Sequence, residues 1–178
     1  MAKERTKRRR KADSAVGLRG FFRVHIVEQD GRIVGDSGWV KNTVVNLGKR
    51  DYLCTPLAGG TAKSISRMAL GTGTAPAATD TSLQGELSHQ TNAASGTRNR
   101  FTVATSQVGS TAIEFQATFA SSISFATTTC NISNIMVIND TTTGGTIFAG
   151  NTFASSLLNT NRTLCPIMDE EFLVPLAA

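Results

Sequence analysis

Residues 113–119, IEFQATF, place an apolar side chain at every second position and a polar one between. This period of two is the pattern of a strand with one face against a core and the other toward solvent. Phe21 to Glu28, FFRVHIVE, alternates in the same way, and Asp30-Gly31 then marks a turn from which residues 32–34 return as a partner strand. The fold is therefore predicted to be built on β-strands.

The rest of the body consists of short segments of the same kind, separated by turn residues. Further strands are predicted at residues 65–70, 101–104, 130–139, 146–149, 163–167 and 172–176. Residues 44–58 favour a short helix that is capped by Asn46 and ended by Gly59-Gly60. A second short helix is predicted after an N-cap at Asp80 or Thr79. Together these elements predict an all-β fold, sandwich or jelly-roll-like, with one or two short helices.

A cationic arm precedes this body. Seven of the eighteen Lys and Arg residues lie in the first eleven positions: Lys3, Arg5, Lys7, Arg8, Arg9, Arg10 and Lys11. Through Arg23 the formal charge is +7, whereas the remainder of the chain carries −2. A segment with so few apolar residues cannot fold alone, so we expect it to contact nucleic acid, an acidic protein surface or an anionic membrane, or to be a solvated tail. The predicted domains are a basic arm, residues 1–18, and a single β-sandwich domain, residues 19–178.

An acidic cluster, Asp169-Glu170-Glu171, lies near the end of the chain. Three consecutive acids cannot all face one cation along an extended chain, so a calcium site is not predicted. We expect either a solvated turn or a docking site for the basic arm of a neighbouring copy.

Residues that carry catalytic chemistry are sparse. His25 and His89 are far apart in the sequence, and the three cysteines form no CxxC pair. Residues 71–76, GTGTAP, begin like a phosphate-binding loop but lack its Lys-Ser/Thr. We therefore predict no catalytic, cofactor or metal site, and a protein that is not an enzyme. No run of 18 apolar residues is present and no apolar segment follows the basic N-terminus, so neither a membrane partner nor secretion is predicted.

Three longer segments carry a family pattern: GWVKNTVVNLGKRDYL (38–53), ISRMALGTGTAPAATDTSLQGEL (65–87) and ISNIMVINDTTTGGTIFAGNTFA (132–154). In this order they resemble small structural proteins of tailed-bacteriophage particles. The second segment contains the most specific motif, ALGTGTAP followed by DTSLQGEL, which is similar to a stretch recurrent in tail-fibre, baseplate and head-decoration proteins. The family commonly has an acidic residue where this chain has Asn134.

The resemblance implies a structural protein of the virion that is made in the host cytoplasm. Because of the arm, a capsid decoration or minor capsid protein is expected ahead of a tail, baseplate or fibre protein. A non-specific nucleic-acid-binding module is the alternative outside this family. The implied partners are major capsid or head–tail proteins, other copies of this chain, and DNA contacted by the arm without sequence readout. No cofactor is implied.

Overall fold

The computed structural model describes residues 17–87, 100–119, 130–140, 144–158 and 162–173. Over these residues the chain forms eleven strands in two antiparallel sheets, together with one short helical segment. The predicted all-β fold with a short helix is therefore confirmed. The seven basic residues of the arm lie outside the described residues. The first strand begins at Gly17, two residues before the predicted start of the body.

The first sheet, sheet A, contains six strands. They are β1 (Gly17–Glu28), β2 (Ile33–Asp36), β3 (Val40–Lys41), β7 (Ala104–Val108), β8 (Ala112–Gln116) and β11 (Arg162–Leu173). Their order across the sheet is β2-β1-β11-β8-β7, and β3 also pairs with β1. The predicted hairpin at Asp30-Gly31 is confirmed, because β2 returns antiparallel to β1 after Gly31, whose φ of 85° lies in the left-handed region.

The second sheet, sheet B, contains the other five strands. They are β4 (Thr43–Val44), β5 (Arg67–Gly71), β6 (Arg100–Thr102), β9 (Cys130–Ile138) and β10 (Ile147–Leu158). Their order is β4-β10-β9-β5-β6. The chain passes from sheet A to sheet B at the buried residue Asn42, which separates β3 from β4.

The main core lies between the two sheets. Sheet A contributes Phe22, Val24 and Ile26, which alternate along β1 with more exposed residues. Sheet B contributes Met68 and Leu70 from β5, together with apolar residues of β9 and β10. Because one face of each sheet meets the other across this cluster, the architecture is a β-sandwich.

A smaller second core lies on the outer face of sheet B. Met136 and Ile138 of β9 point away from the main core and are fully buried, or nearly so, against Val45, Leu83 and their neighbours. Residues 135–138 are thus buried on both sides of the sheet, which accounts for their uninterrupted apolar sequence, IMVI.

The helical segment after β4 was predicted, but its start differs. It runs through an α-helical turn at Asn46–Gly48, a π-helical stretch at Lys49–Cys54 and a second α-helical turn at Thr55–Leu57. The N-cap position is Val45, so Asn46 is the first helical residue and not the cap. Gly59 follows the segment at φ +81, which agrees with the predicted glycine end.

The helix predicted after Asp80 is wrong. Residues 71–87 form a series of turns, and Gly85 has φ +63, which a helix cannot contain. The Asp80 carboxylate accepts a hydrogen bond from the Ala77 N–H within this loop. The helix does not form because the Gln84 carbonyl accepts a hydrogen bond from Asn134 of sheet B and not from an N–H of a following helical turn.

Candidate assembly surfaces

Residues 71–87, here called the glycine-rich loop, lie against the outer face of sheet B at very short range. A Cβ atom added at Gly71 would be 2.4 Å from Oδ1 of Asn134, and one added at Gly73 would be 2.4 Å from the Gln84 carbonyl oxygen. Side chains do not approach so closely, so these two positions require glycine. Close packing therefore explains both glycines of the GTG sequence at residues 71–73.

Asn134 of β9 binds the loop through its side-chain amide. It is completely buried, and its Nδ2 donates to the carbonyl oxygens of Thr74 at 3.0 Å and Gln84 at 2.9 Å. The neighbouring Ser133 hydroxyl donates to the Gly73 carbonyl at 3.2 Å. A carboxylate at position 134 has no proton to donate to these carbonyls, so this contact depends on the amide.

The helical segment and β10 complete the same unit. A Cβ atom at Gly48 would lie 2.4 Å from the Phe148 carbonyl oxygen, and the Asn46 N–H donates to the Ala78 carbonyl at 2.7 Å. Gly150 lies close enough to the loop that its Cβ would be 3.0 Å from Cγ of Pro76. The three segments that carry the family pattern therefore pack on one another. We call the loop and the helical segment together the cover of sheet B.

An ion pair with no access to water joins the end of the loop to β6. The side chains of Arg100 and Glu86 are 2% and 0% exposed, and Nε of Arg100 lies 2.7 Å from Oε1 of Glu86. Nη1 of the same arginine donates to the Gly144 carbonyl at 2.7 Å, next to the start of β10. This ion pair could not be predicted from the sequence, since neither residue belongs to an apolar repeat.

A second polar cluster connects the helical segment to β10. The buried carboxylate of Asp51 accepts hydrogen bonds from Nε of Arg50 at 2.5 Å, Nζ of Lys63 at 2.7 Å and the Thr146 hydroxyl at 3.2 Å. The hydrogen bonds from Arg50 and Lys63 hold the pKa of Asp51 well below its usual range. Each oxygen is thus occupied by donors from the protein, an arrangement suited to holding the segment in place.

Tyr52 lies beside this cluster at the mouth of a small cavity. Its hydroxyl donates to the Thr146 carbonyl at 2.5 Å, and burial, aided by the charge of Asp51, raises its pKa. The cavity has a volume of about 250 Å³ and mainly apolar walls, which include Ile65, Ile113 and Phe148. The polar groups at its mouth are already hydrogen-bonded to one another, so the cavity presents little polar chemistry to a ligand.

The acidic cluster does not form a turn, which was one of the two expectations for it. Asp169-Glu170-Glu171 lies within β11, with β1 on one side and β8 on the other. The two strands predicted at residues 163–167 and 172–176 are one strand as far as Leu173, and residues 174–176 lie outside the described residues. Strand pairing on both sides stabilises the extended backbone here in spite of three adjacent charges.

This position puts the acidic residues beside the base of the arm. Glu171 is paired with Arg19, and Asp169 is paired with Phe21 on β1 and with Glu114 on β8. Because successive positions of a strand belong to opposite faces of a sheet, positions 169 and 171 share one face and position 170 belongs to the other. Position 114 on β8 is paired with position 169 and shares its face. Docking of a basic arm at this cluster stays a prediction, and residues 1–16 of the arm lie outside the described residues.

Comparison with known proteins identifies no relative of this chain. No protein-family model matches the chain, and neither a curated protein nor a solved structure matches it. Within the described ranges, no helix has the length and hydropathy needed to cross a membrane. In that same part of the chain, no three His, Cys, Asp or Glu side chains are grouped so as to hold a metal ion.

Proposed function

We propose that this chain is a structural protein of a tailed-phage virion, a capsid decoration or minor capsid protein anchored by its basic N-terminal arm. The observation that carries the proposal is the packing of the three family-like segments on one another at sheet B. A motif shared by a family is expected to encode one packed unit, and the close glycine contacts of the loop agree with that expectation. On this proposal the protein is not an enzyme, and its polar clusters serve to fix the cover.

The arm and the sheet next to it supply the assembly contacts in this proposal. The arm leads directly into β1, whose first residue, Gly17, is paired with Leu173 of β11. Positions 169, 171 and 114 share one face at this end of sheet A by strand register, and all three are acidic residue types. A basic arm from a neighbouring copy, or from this copy toward an acidic shell protein, gains charge-assisted contacts there that it lacks in solution.

Incorporation into particles tests this function. Full-length protein should be found at fixed stoichiometry in purified particles, whereas a variant lacking residues 1–16 should be largely absent. A matched pair isolates the role of charge: Arg8, Arg9 and Arg10 are replaced together by Gln in one variant and by Lys in the other. We expect the Gln variant to incorporate poorly and the Lys variant nearly normally. Full incorporation of the truncated protein would rule out the arm as the anchor.

Contact of the arm with DNA is a separate part of the proposal and has its own test. Each phosphate neutralised by Lys or Arg contributes a slope of about −0.9 to log K against log salt, so binding to random duplex DNA should fall steeply with salt. The full-length chain should show this dependence and the chain lacking residues 1–16 should not. Equal binding by both would assign the arm to a protein partner.

A further inference from the structure

The two edges of sheet A differ in how they are protected. At one edge, β2 and β3 are four and two residues long, and between them Gly38 has φ +63. The edge carries Asp36 and Lys41, and the β1–β2 pairing is interrupted by a register shift at Ile26/Val27. Short strands, charges and irregular pairing are the usual features that prevent an edge from pairing with another chain.

The opposite edge has none of these features. β7, with the sequence ATSQV, is exposed at all five residues and is paired with β8 in unbroken register from Ala104 to Val108. Residues 101–113 contain no charged side chain and no proline. Within the described residues, β8 is the only strand paired with β7, and β7 is the longest edge strand of either sheet. Val108 at its end is 52% exposed.

From this contrast we infer that β7 is a pairing surface for a second copy of the same chain, joined antiparallel about a two-fold axis at Ser106. In this register Ala104 faces Val108 of the second copy, and Thr105 faces Gln107. Every cross-strand pair is then neutral and small, and the contact is self-complementary, as an isologous interface requires. Sheet A would continue without a break from one copy into the other.

The nearest charges lie outside the new strand pair. Glu114 lies opposite Ser106 on β8, so the backbones of the two Glu114 residues would be separated by three strand spacings, about 14 Å. Each Glu114 carboxylate accepts a hydrogen bond from the Ser106 hydroxyl at 3.4 Å, so the two carboxylates would be closer together than their backbones, and salt weakens their repulsion. An uncharged edge does not attract a charged partner. When β7 pairs with β7 of a second copy, no like charges face each other across the new strand pair. The inference does not depend on the virion function proposed above.

Reciprocal charge substitution tests both the partner and the register. The Ala104→Lys/Val108→Lys variant places lysine opposite lysine in the proposed pair, and Ala104→Glu/Val108→Glu places glutamate opposite glutamate. Both substituted positions, 104 and 108, are exposed, so thermal unfolding should remain cooperative in both variants. The matched control is Ile33→Lys on the protected edge, where the side chain is 54% exposed, close to the value for Val108.

Sedimentation of the full chain over a concentration series, at about 0.15 M salt so that the introduced charges still interact, provides the measurement, and the arm is the same in every variant. We expect wild type and Ile33→Lys to dimerise alike, and each double variant to dimerise at least about tenfold more weakly. An equimolar mixture of the Lys and Glu variants should restore the dimer. A wild-type chain that stays monomeric throughout, a Lys variant that dimerises normally, or a mixture that fails to associate would overturn the inference.

Discussion

Sheet B is buried on both faces, whereas sheet A has one buried face and one that meets solvent. Residues 135–138 of β9 are all buried, while along β1 the buried residues alternate with more exposed ones. Polar groups between sheet B and its cover have no water to bind, so a lost protein partner is costly there. Nδ2 of Asn134 has two such partners, whereas its buried Oδ1 has none within the described residues. Polar groups on the outer side of sheet A can use water instead. We therefore expect equivalent substitutions to cost far more at sheet B.

The largest effect is expected from Arg100→Ala. This change leaves the fully buried Glu86 carboxylate without its cation, and breaking a buried pair in this way costs about 3–5 kcal/mol. Urea unfolding of the variant and the wild type measures the loss. The matched control on sheet A is Arg23→Ala, which removes a half-exposed ion pair with Asp36 and should have a much smaller effect. Similar losses in the two variants would contradict the contrast between the sheets.

The next largest effect is expected from Asn134→Asp. The variant keeps the size of the side chain but removes two donated hydrogen bonds and buries a charge against two carbonyl oxygens, a loss of about 2–3 kcal/mol at neutral pH. The control is Ser133→Ala, which removes one contact from a half-buried hydroxyl.

The pH dependence of this variant gives a second readout. Burial without a cation should raise the pKa of the introduced carboxyl in the folded state above its unfolded value. Protonation then favours the folded state, so the difference from wild type should shrink as the pH falls toward that raised pKa. A variant as stable as wild type at pH 7 would mean that the loop does not depend on the amide at position 134.

The contrast between sheet A and the cover of sheet B also explains which elements could be predicted from the sequence and which could not. The strand at residues 21–28, and the strand predicted at 113–119 as far as Gln116, were predictable because a period of two records burial on one face, which is a local property of the chain. Glycine and apolar spacing likewise located the helical segment before Gly59. These elements depend mainly on near neighbours in the sequence.

The glycine-rich loop, the other part of the cover, was not predictable in the same way. The glycine-rich loop has a good local signal for a helix after Asp80, but Asn134, about fifty residues away, binds the Gln84 carbonyl instead. The pairing of Glu86 with Arg100 also depends on tertiary contact alone. A turn was one of the two expectations for Asp169-Glu170-Glu171, yet β1 and β8 pair with it on both sides. In each case a long-range contact overrode the local preference.

A moderate, pH-dependent effect is expected at the helical segment. The pKa of Asp51 is lowered in the folded state by donors on Arg50 and Lys63, so its contribution to stability is present above the unfolded value of about 3.9. That contribution is lost as the pH falls through the lower folded pKa. Asp51→Asn should therefore flatten the loss of stability in acid, measured by urea unfolding from pH 6 to pH 2. Asp30→Asn, in the exposed β1–β2 turn, is the control and should keep the wild-type slope.

The smallest effect on the body is expected from removing residues 1–16. β1 begins at Gly17, and its first fully buried side chain is Phe22, so the truncation leaves the core between the sheets intact. The urea midpoint should stay close to that of the full chain, whereas Phe22→Ala in the same strand should cost about 3–5 kcal/mol. An arm held by the body of its own chain would give a different result, because losing those contacts would lower the midpoint of the truncated protein. An unchanged midpoint combined with loss from particles would separate the two roles: the sandwich folds by itself, and the arm gains its contacts from a neighbour.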